Sequence, residues 1–455
     1  MNFPSYWMVV LQKFRVALPL VLFVVATLAL AACGGGSSSG PSTSSATTGG
    51  SSATGSSGTG GSSTTGGSTS GGSSGSGSSS GSGSGSSGGS GSGSSGGSGS
   101  GGSGSGGSGS TGTGPAALLA AKLGLPSRLL VGVGSQPNST IISQGLKPDI
   151  LDQYLVGAGN GDWTTWNSPA GAYVGAVASD AQQVGAIPMF TLYQMAANGD
   201  GNLAGLNDTT FMTRYWSNVK VLYQQLAAYG KPALVNLEPD FWGYAELQSN
   251  QNPTSLAARV TLNPDCASLS NDVVGIAGCL VKMARQYAPK AYIGFPLSDW
   301  GGNNVAQVVT FMQAIGATHA DFILALTYDR DAGCFELTPQ ISSCSRGGAP
   351  WYWDDAGFTQ HFANVQQYHS GLGNLPVMWW QTPMGVPSST PGGTPGHYRD
   401  NREDYFLKHP SLLTAAGGLG VVFSAGESNQ TTLATDGGQY QALSTAYLSA
   451  PAPLP

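Results

Sequence analysis

Short apolar runs recur along the chain from Leu129 onward, each followed by a polar stretch. They cover Leu129–Gly134, Gln153–Gly157, Ile187–Tyr193, Ala233–Glu238, Ala291–Leu297, Asp321–Tyr328, Pro376–Gln381 and Gly418–Ser424. β-branched and aromatic residues dominate them, as in buried strands. Helix-period patterns fill the gaps: Tyr173–Val184, Thr209–Tyr229, Asp272–Tyr287, Val305–Ile315, Phe358–Tyr368 and Tyr398–Leu407, with Gln439–Leu448 after the last strand. Only the first crossover shows no clear helix. Strands alternating with helices predict parallel βα units, and eight of them match a single (βα)8 TIM-type barrel over 115–455. The rival is an open doubly wound sheet, which usually carries a glycine-rich phosphate turn after its first strand. Here GVGSQPNST follows that strand, without the GxGxxG spacing.

The N-terminal part has a different pattern. Lys13 and Arg15 precede the apolar run Val16–Ala32, which ends in Leu30-Ala31-Ala32-Cys33-Gly34. A basic flank, a short apolar core and small residues read as a secretory signal over 1–32. The run is marginal in length for a membrane-spanning helix. From 33 to 114 the chain is almost entirely Gly, Ser and Thr, with no charge and no large apolar side chain. Such a segment cannot build a core and reads as a flexible tether. About 80 residues of this kind span roughly 50 Å on average.

The net charge of −6 and the absence of a basic cluster give nucleic-acid binding no electrostatic support. Apart from Cys33 there are four cysteines, Cys266, Cys279, Cys334 and Cys344. An even count in an exported chain suggests disulfides. Local pairs, Cys266–Cys279 and Cys334–Cys344, are the simplest of the three connectivities. No CxxC occurs and no histidine adjoins a strand end, so no metal site and no cofactor are expected. A monomer is expected.

In a (βα)8 barrel the functional site lies at the C-terminal strand ends. Polar and aromatic residues collect there: Tyr193 after strand three, Asn236, Glu238, Asp240 and Trp242 after four, and Asp299 with Trp300 after five. Asp329, Arg330 and Asp331 follow strand six, Trp379, Trp380 and Gln381 end strand seven, and Glu427 follows strand eight. Asn236, Glu238 and Asp240 share one parity, which points all three into the mouth while the strand persists. Two carboxylates that close repel, which raises one pKa and suits a general acid. The competing reading has Glu238 paired to Arg330 or Arg402 and Asp240 capping a turn. Asp329 is the first choice of partner for Glu238, with Asp299 and Glu427 behind it. The alternative for TYDRDAG is an internal network in which Arg330 neutralises Asp329 and Asp331. On parity from the strand end, Trp379 and Gln381 face the barrel. Aromatic faces beside polar groups suit a sugar, with Trp242, Trp300, Trp379 and Tyr193 as platforms and Asn236, Asp299, Asp331, Gln381 and Glu427 as further contacts. The competing reading is that the tryptophans are core.

Two resemblances sharpen these expectations. LAAC followed by Gly34 resembles the bacterial lipobox. That implies cleavage before Cys33, a lipid on its thiol, and a membrane-anchored protein of the bacterial envelope, at the outer membrane or cell surface. NLEPD followed by Trp242, at the end of strand four, resembles the (βα)8-barrel glycoside hydrolases. This implies acid/base cleavage of a poly- or oligosaccharide, with Glu238 at the matching acid/base position. The chain departs from the large retaining group at strand seven, where Gln381 stands in place of the nucleophilic glutamate. LALTYDRDAG is similar to the strand-six motif of chitinase-type barrels, but the chitinase strand-four motif is absent. The alternative is a non-catalytic glycan-binding lipoprotein on a degenerate barrel.

Overall fold

The computed structural model describes residues 112–337, 344 and 350–455. The expected signal, the expected lipidation site Cys33 and nearly all of the expected tether lie outside the described residues. Eight parallel strands close into a barrel: β1 Leu130–Gly134, β2 Ile150–Val156, β3 Ile187–Tyr193, β4 Ala233–Leu237, β5 Ala291–Pro296, β6 Phe322–Ala325, β7 Val377–Thr382 and β8 Gly418–Ser424. Each strand pairs with its sequence neighbours, and β8 closes on β1 from Leu130↔Gly420 to Gly134↔Ser424.

The strands differ from expectation mainly at their ends. β2 starts at Ile150, three residues early, and β6 stops at Ala325. The six residues after Ala325 are loop, held by side-chain contacts of Arg330 and Asp331. The first crossover holds a short helix, Asn138–Ser143. The longest helix among the described residues, Thr209–Tyr229, starts where the Asp208 carboxylate caps the Phe211 N–H and ends at Gly230, in a left-handed conformation that glycine adopts without strain. A small antiparallel ribbon, Gly393–Thr394 with His397–Tyr398, lies between β7 and β8.

Alternation along the strands sorts side chains into two cores. Leu130, Ile150, Met189, Leu234, Phe322, Leu324, Met378 and Val422 fill the barrel. Gly294 faces Phe322 there, and a Cβ on it would come within 2.4 Å of the ring. The helix Pro115–Leu123 packs Ala116, Leu119, Ala120 and Leu123 against this same core. Val131, Phe190, Val235, Phe295 and Val421 face outward and pack under the helices.

Both expected disulfides are present, Cys266–Cys279 with Cα atoms 5.6 Å apart and Cys334–Cys344 with 5.1 Å. The first ties the loop after β4 to the helix Val273–Tyr287. Closing a loop of 13 residues removes unfolded-state entropy. Replacing Cys266 and Cys279 by serine together should therefore lower the unfolding free energy by about 3 kcal/mol in denaturant titration.

Candidate active site

The C-terminal rim is where the backbone departs most from ordinary strand geometry. Ser135 after β1, Glu238 and Asp240 after β4, and Gln381 in β7 all have positive φ, between 54° and 67°. Non-glycine residues seldom adopt this conformation, and strain of this kind collects at functional sites. It also breaks the alternation of side chains, and that changes the site.

Glu238 is the main correction. Pairing of β4 ends at Leu237, and the φ of 55° turns the next side chain out of the barrel. Its carboxylate is fully buried, and Oε2 accepts hydrogen bonds from the N–H groups of Gln194 and Met195, both at 2.9 Å. Oε1 makes no hydrogen bond, and the Tyr215 hydroxyl of the outer helix layer lies close enough to couple to the carboxyl. Burial pushes the carboxyl up to about 8, against the pull of the two N–H groups. Glu238 binds neither Arg330 nor Arg402. It clamps the exit of β3 to the end of β4.

Asp240 emerges on the other side of Pro239. The Tyr193 hydroxyl, at the end of β3, lies 2.9 Å from Asp240 Oδ2 and 2.8 Å from Asp200 Oδ1. Burial, then the charges of Asp240 and Asp200, raise the Tyr193 phenol well above its ordinary value, so it keeps its proton. Below it, Tyr193 meets Tyr154 edge-on at 6.0 Å, and Tyr154 leans on Trp380 at 5.7 Å. Trp380 Nε1 donates to Asp152 Oδ2 at 2.9 Å, and Thr191 Oγ1 donates to Asp152 Oδ1 at 2.9 Å. Burial pushes the Asp152 carboxyl up to about 7. Asn236 is also inside, with Nδ2 3.4 Å from Thr191 Oγ1.

Further round the rim, Arg330 is salt-bridged to Asp329 and lies 3.5 Å from Glu427. Glu427 Oε1 also accepts from the Ser428 N–H and hydroxyl. Trp300 is 40% exposed, with its ring 4.7 Å from Tyr244, and Asp299 beside it is exposed.

Four other expected contacts do not face an open mouth. Trp242 is core, with Nε1 donating to the Leu237 carbonyl at 2.7 Å and its ring against Phe295. Trp379 packs outward on Phe406 and donates to His361, contrary to expectation, and Trp380 takes the interior place expected of Trp379. Counting back from Gln381 failed because Gln381 is itself left-handed and the β7–β8 register shifts there. Gln381 is nearly buried, with Nε2 3.3 Å from the Gly426 carbonyl. Asp331 is buried as a loop knot, accepting from Gly385 N–H, Thr431 N–H and Thr431 Oγ1 at 2.7–2.9 Å. Arg402 is paired with Asp400 and lies over the rings of Tyr328 and Trp353.

Asp152, Tyr154 and Asp200 were missed. Reading β2 from Ile150 would have exposed the alternation Ile150, Asp152, Tyr154, with a carboxylate inside the barrel. No group of three or more potential ligand residues that could hold a metal ion occurs among the described residues.

No family model matches the chain, and no curated protein matches it. Among solved structures, an endo-β-1,4-mannanase from Cellulomonas fimi aligns at 12% identity and a TM-score of 0.43, over 73% of each chain. A xyloglucan-specific β-1,4-glucanase from a ruminal metagenomic library aligns at 13% and 0.42, over 70% of this chain and 87% of its own. A D-allulose 3-epimerase from Methylomonas sp. aligns at 12% and 0.39, over 71% and 98%. The assignment of the barrel rests on the strand pairing itself.

Glu238 and Asp152 hold their protons more tightly folded than unfolded. Their contribution is complete below about pH 4 and is lost as pH rises toward 7–8. Glu238→Gln keeps an acceptor for the two N–H groups and removes one titration. Between about pH 5 and 8 its stability should fall less steeply than wild type, by about 1.4 kcal/mol per pH unit, in denaturant titrations across pH. Glu238→Ala strands two buried donors and should cost about 3 kcal/mol.

Proposed function

We propose that the barrel acts on a poly- or oligosaccharide by carboxylate acid/base chemistry at its C-terminal mouth, as a glycoside hydrolase-like enzyme. The observation that carries this reading is the Tyr193 hydroxyl set between two carboxylates. Asp240, the less exposed of the two, stands at the lip of the mouth beside this phenol and is the candidate for the group that protonates the leaving oxygen. Asp329 and Glu427, both on Arg330, are the candidates for the second carboxylate. Two carboxyl groups in contrasting settings are the usual basis of such a division of roles. The paired rings of Trp300 and Tyr244 suit a ligand with apolar faces and hydroxyl edges.

A second reading, a glycan-binding protein without hydrolase activity, is favoured by two positions. The β4 glutamate is buried behind its strand, and β7 carries Gln381, not a glutamate, near its end. The lipid anchor at Cys33 and a place in the cell envelope are part of the proposal, and they rest on the lipobox resemblance alone.

Reducing-end release from a broad panel of polysaccharides decides between the readings. Asp240→Asn and Asp329→Asn should each lower hydrolysis by roughly 10²–10⁴-fold with circular dichroism unchanged. Binding to a glycan with no release by the wild type would select the second reading. For the anchor, Cys33→Ser should move the protein from the membrane fraction to the soluble fraction.

A further inference from the structure

A groove of about 910 Å³ runs beside the mouth, between the loop after β2 and the loop after β3. Its size is within the range of small-molecule sites. The loop after β3 is its shared wall. Asp200 meets Tyr193 at the mouth, whereas Asn198 and Asn202 line the groove. The opposite wall carries Gly159, Asn160 and Gly161.

Three features mark the groove as built. First, Asp162, whose side chain is fully buried, holds Arg214 through Nε at 2.8 Å and Nη2 at 3.0 Å. Thr164 and Asn218 support the pair, with Thr164 Oγ1 3.0 Å from Arg214 Nη2 and Asn218 Nδ2 2.9 Å from Asp162. This fixes one edge of the guanidinium, and its side chain is 40% exposed and lines the groove. Second, Gly205 lets an aromatic ring and an amide sit close to the backbone. A Cβ there would come within 2.9 Å of the Phe211 ring and 3.0 Å of Asn198 Nδ2. Third, the lining carries no unpaired positive charge. Asp162 neutralises Arg214, and Asp208 lies in the same lining, so an anion gains little.

We propose that this groove is a second carbohydrate-binding site, taking neutral sugar units. Amide and hydroxyl groups of Asn160, Asn198 and Thr210 match hydroxyls that both donate and accept. Phe211 supplies an apolar face. The ligand class is shared with the proposed function, but the site is argued from its own lining and does not depend on hydrolysis at the mouth.

The test is isothermal titration of neutral hexasaccharides from several glycans into the full-length Asp240→Asn protein, with and without changes in the groove. Asn160, Asn198 and Thr210 are exposed, so their substitution should leave the fold intact. Asn160→Ala with Asn198→Ala should weaken binding at least tenfold, and Thr210→Trp, which fills the groove, should do the same. Unchanged affinity in both variants would overturn the proposal, whatever the activity of the wild type. Weakened binding in a protein that hydrolyses nothing would leave the groove standing and remove the catalytic reading alone.

Discussion

The clamp between the Glu238 carboxylate and the backbone N–H groups of Gln194 and Met195 sets the geometry of the rim. Strand β3 must end where those two donors are captured. Tyr193, one residue earlier, is thereby aimed across the mouth. Strand β4 must turn left-handed at Glu238 to reach them, and Pro239 carries the chain to a second left-handed residue, Asp240. The Tyr193–Asp240 contact follows from both constraints. A fully buried carboxylate is costly unless it is hydrogen-bonded or neutral, and here burial favours the neutral form. Glu238 thus works as a fixed joint between two strands, and its neighbour Asp240 is the carboxylate that the proposed function uses.

The other side of the rim is fixed by a different means. Asp331 gathers the loops after β6, β7 and β8 through Gly385 and Thr431, and Asp400 ties the Ala332 N–H to Arg402. The two buried carboxylates are hydrogen-bonded to backbone N–H groups and to Thr431 and Arg402, so they order loops. Arg330 is left at the rim with Asp329 and Glu427. One half of the mouth therefore holds two carboxylates on a phenol, and the other holds two on a guanidinium.

Much of the fold was legible because parallel strands and their crossover helices carry periods that survive in any sequence. Eight strands, their order and both local disulfides could be expected from spacing. The mouth was legible only as a region. Alternation assigns sides correctly until a residue takes positive φ, and nothing in Glu238, Asp240 or Gln381 announces that conformation as a glycine would. Trp379 and Trp380 exchanged places for this reason. Asp152 was missed for a simpler one: its strand begins with Ile150-Leu151, too short an apolar start to separate from the loop before it.

The most direct measurement compares substrates that differ in leaving group, using Asp240→Asn on whichever glycan the wild type cleaves. A general acid is needed for a sugar leaving group and hardly needed for a dinitrophenolate. The variant should keep activity within about tenfold on the dinitrophenyl glycoside and lose roughly 10²-fold or more on the oligosaccharide. Equal losses on both substrates, or full activity on the oligosaccharide, would contradict a general-acid role for Asp240.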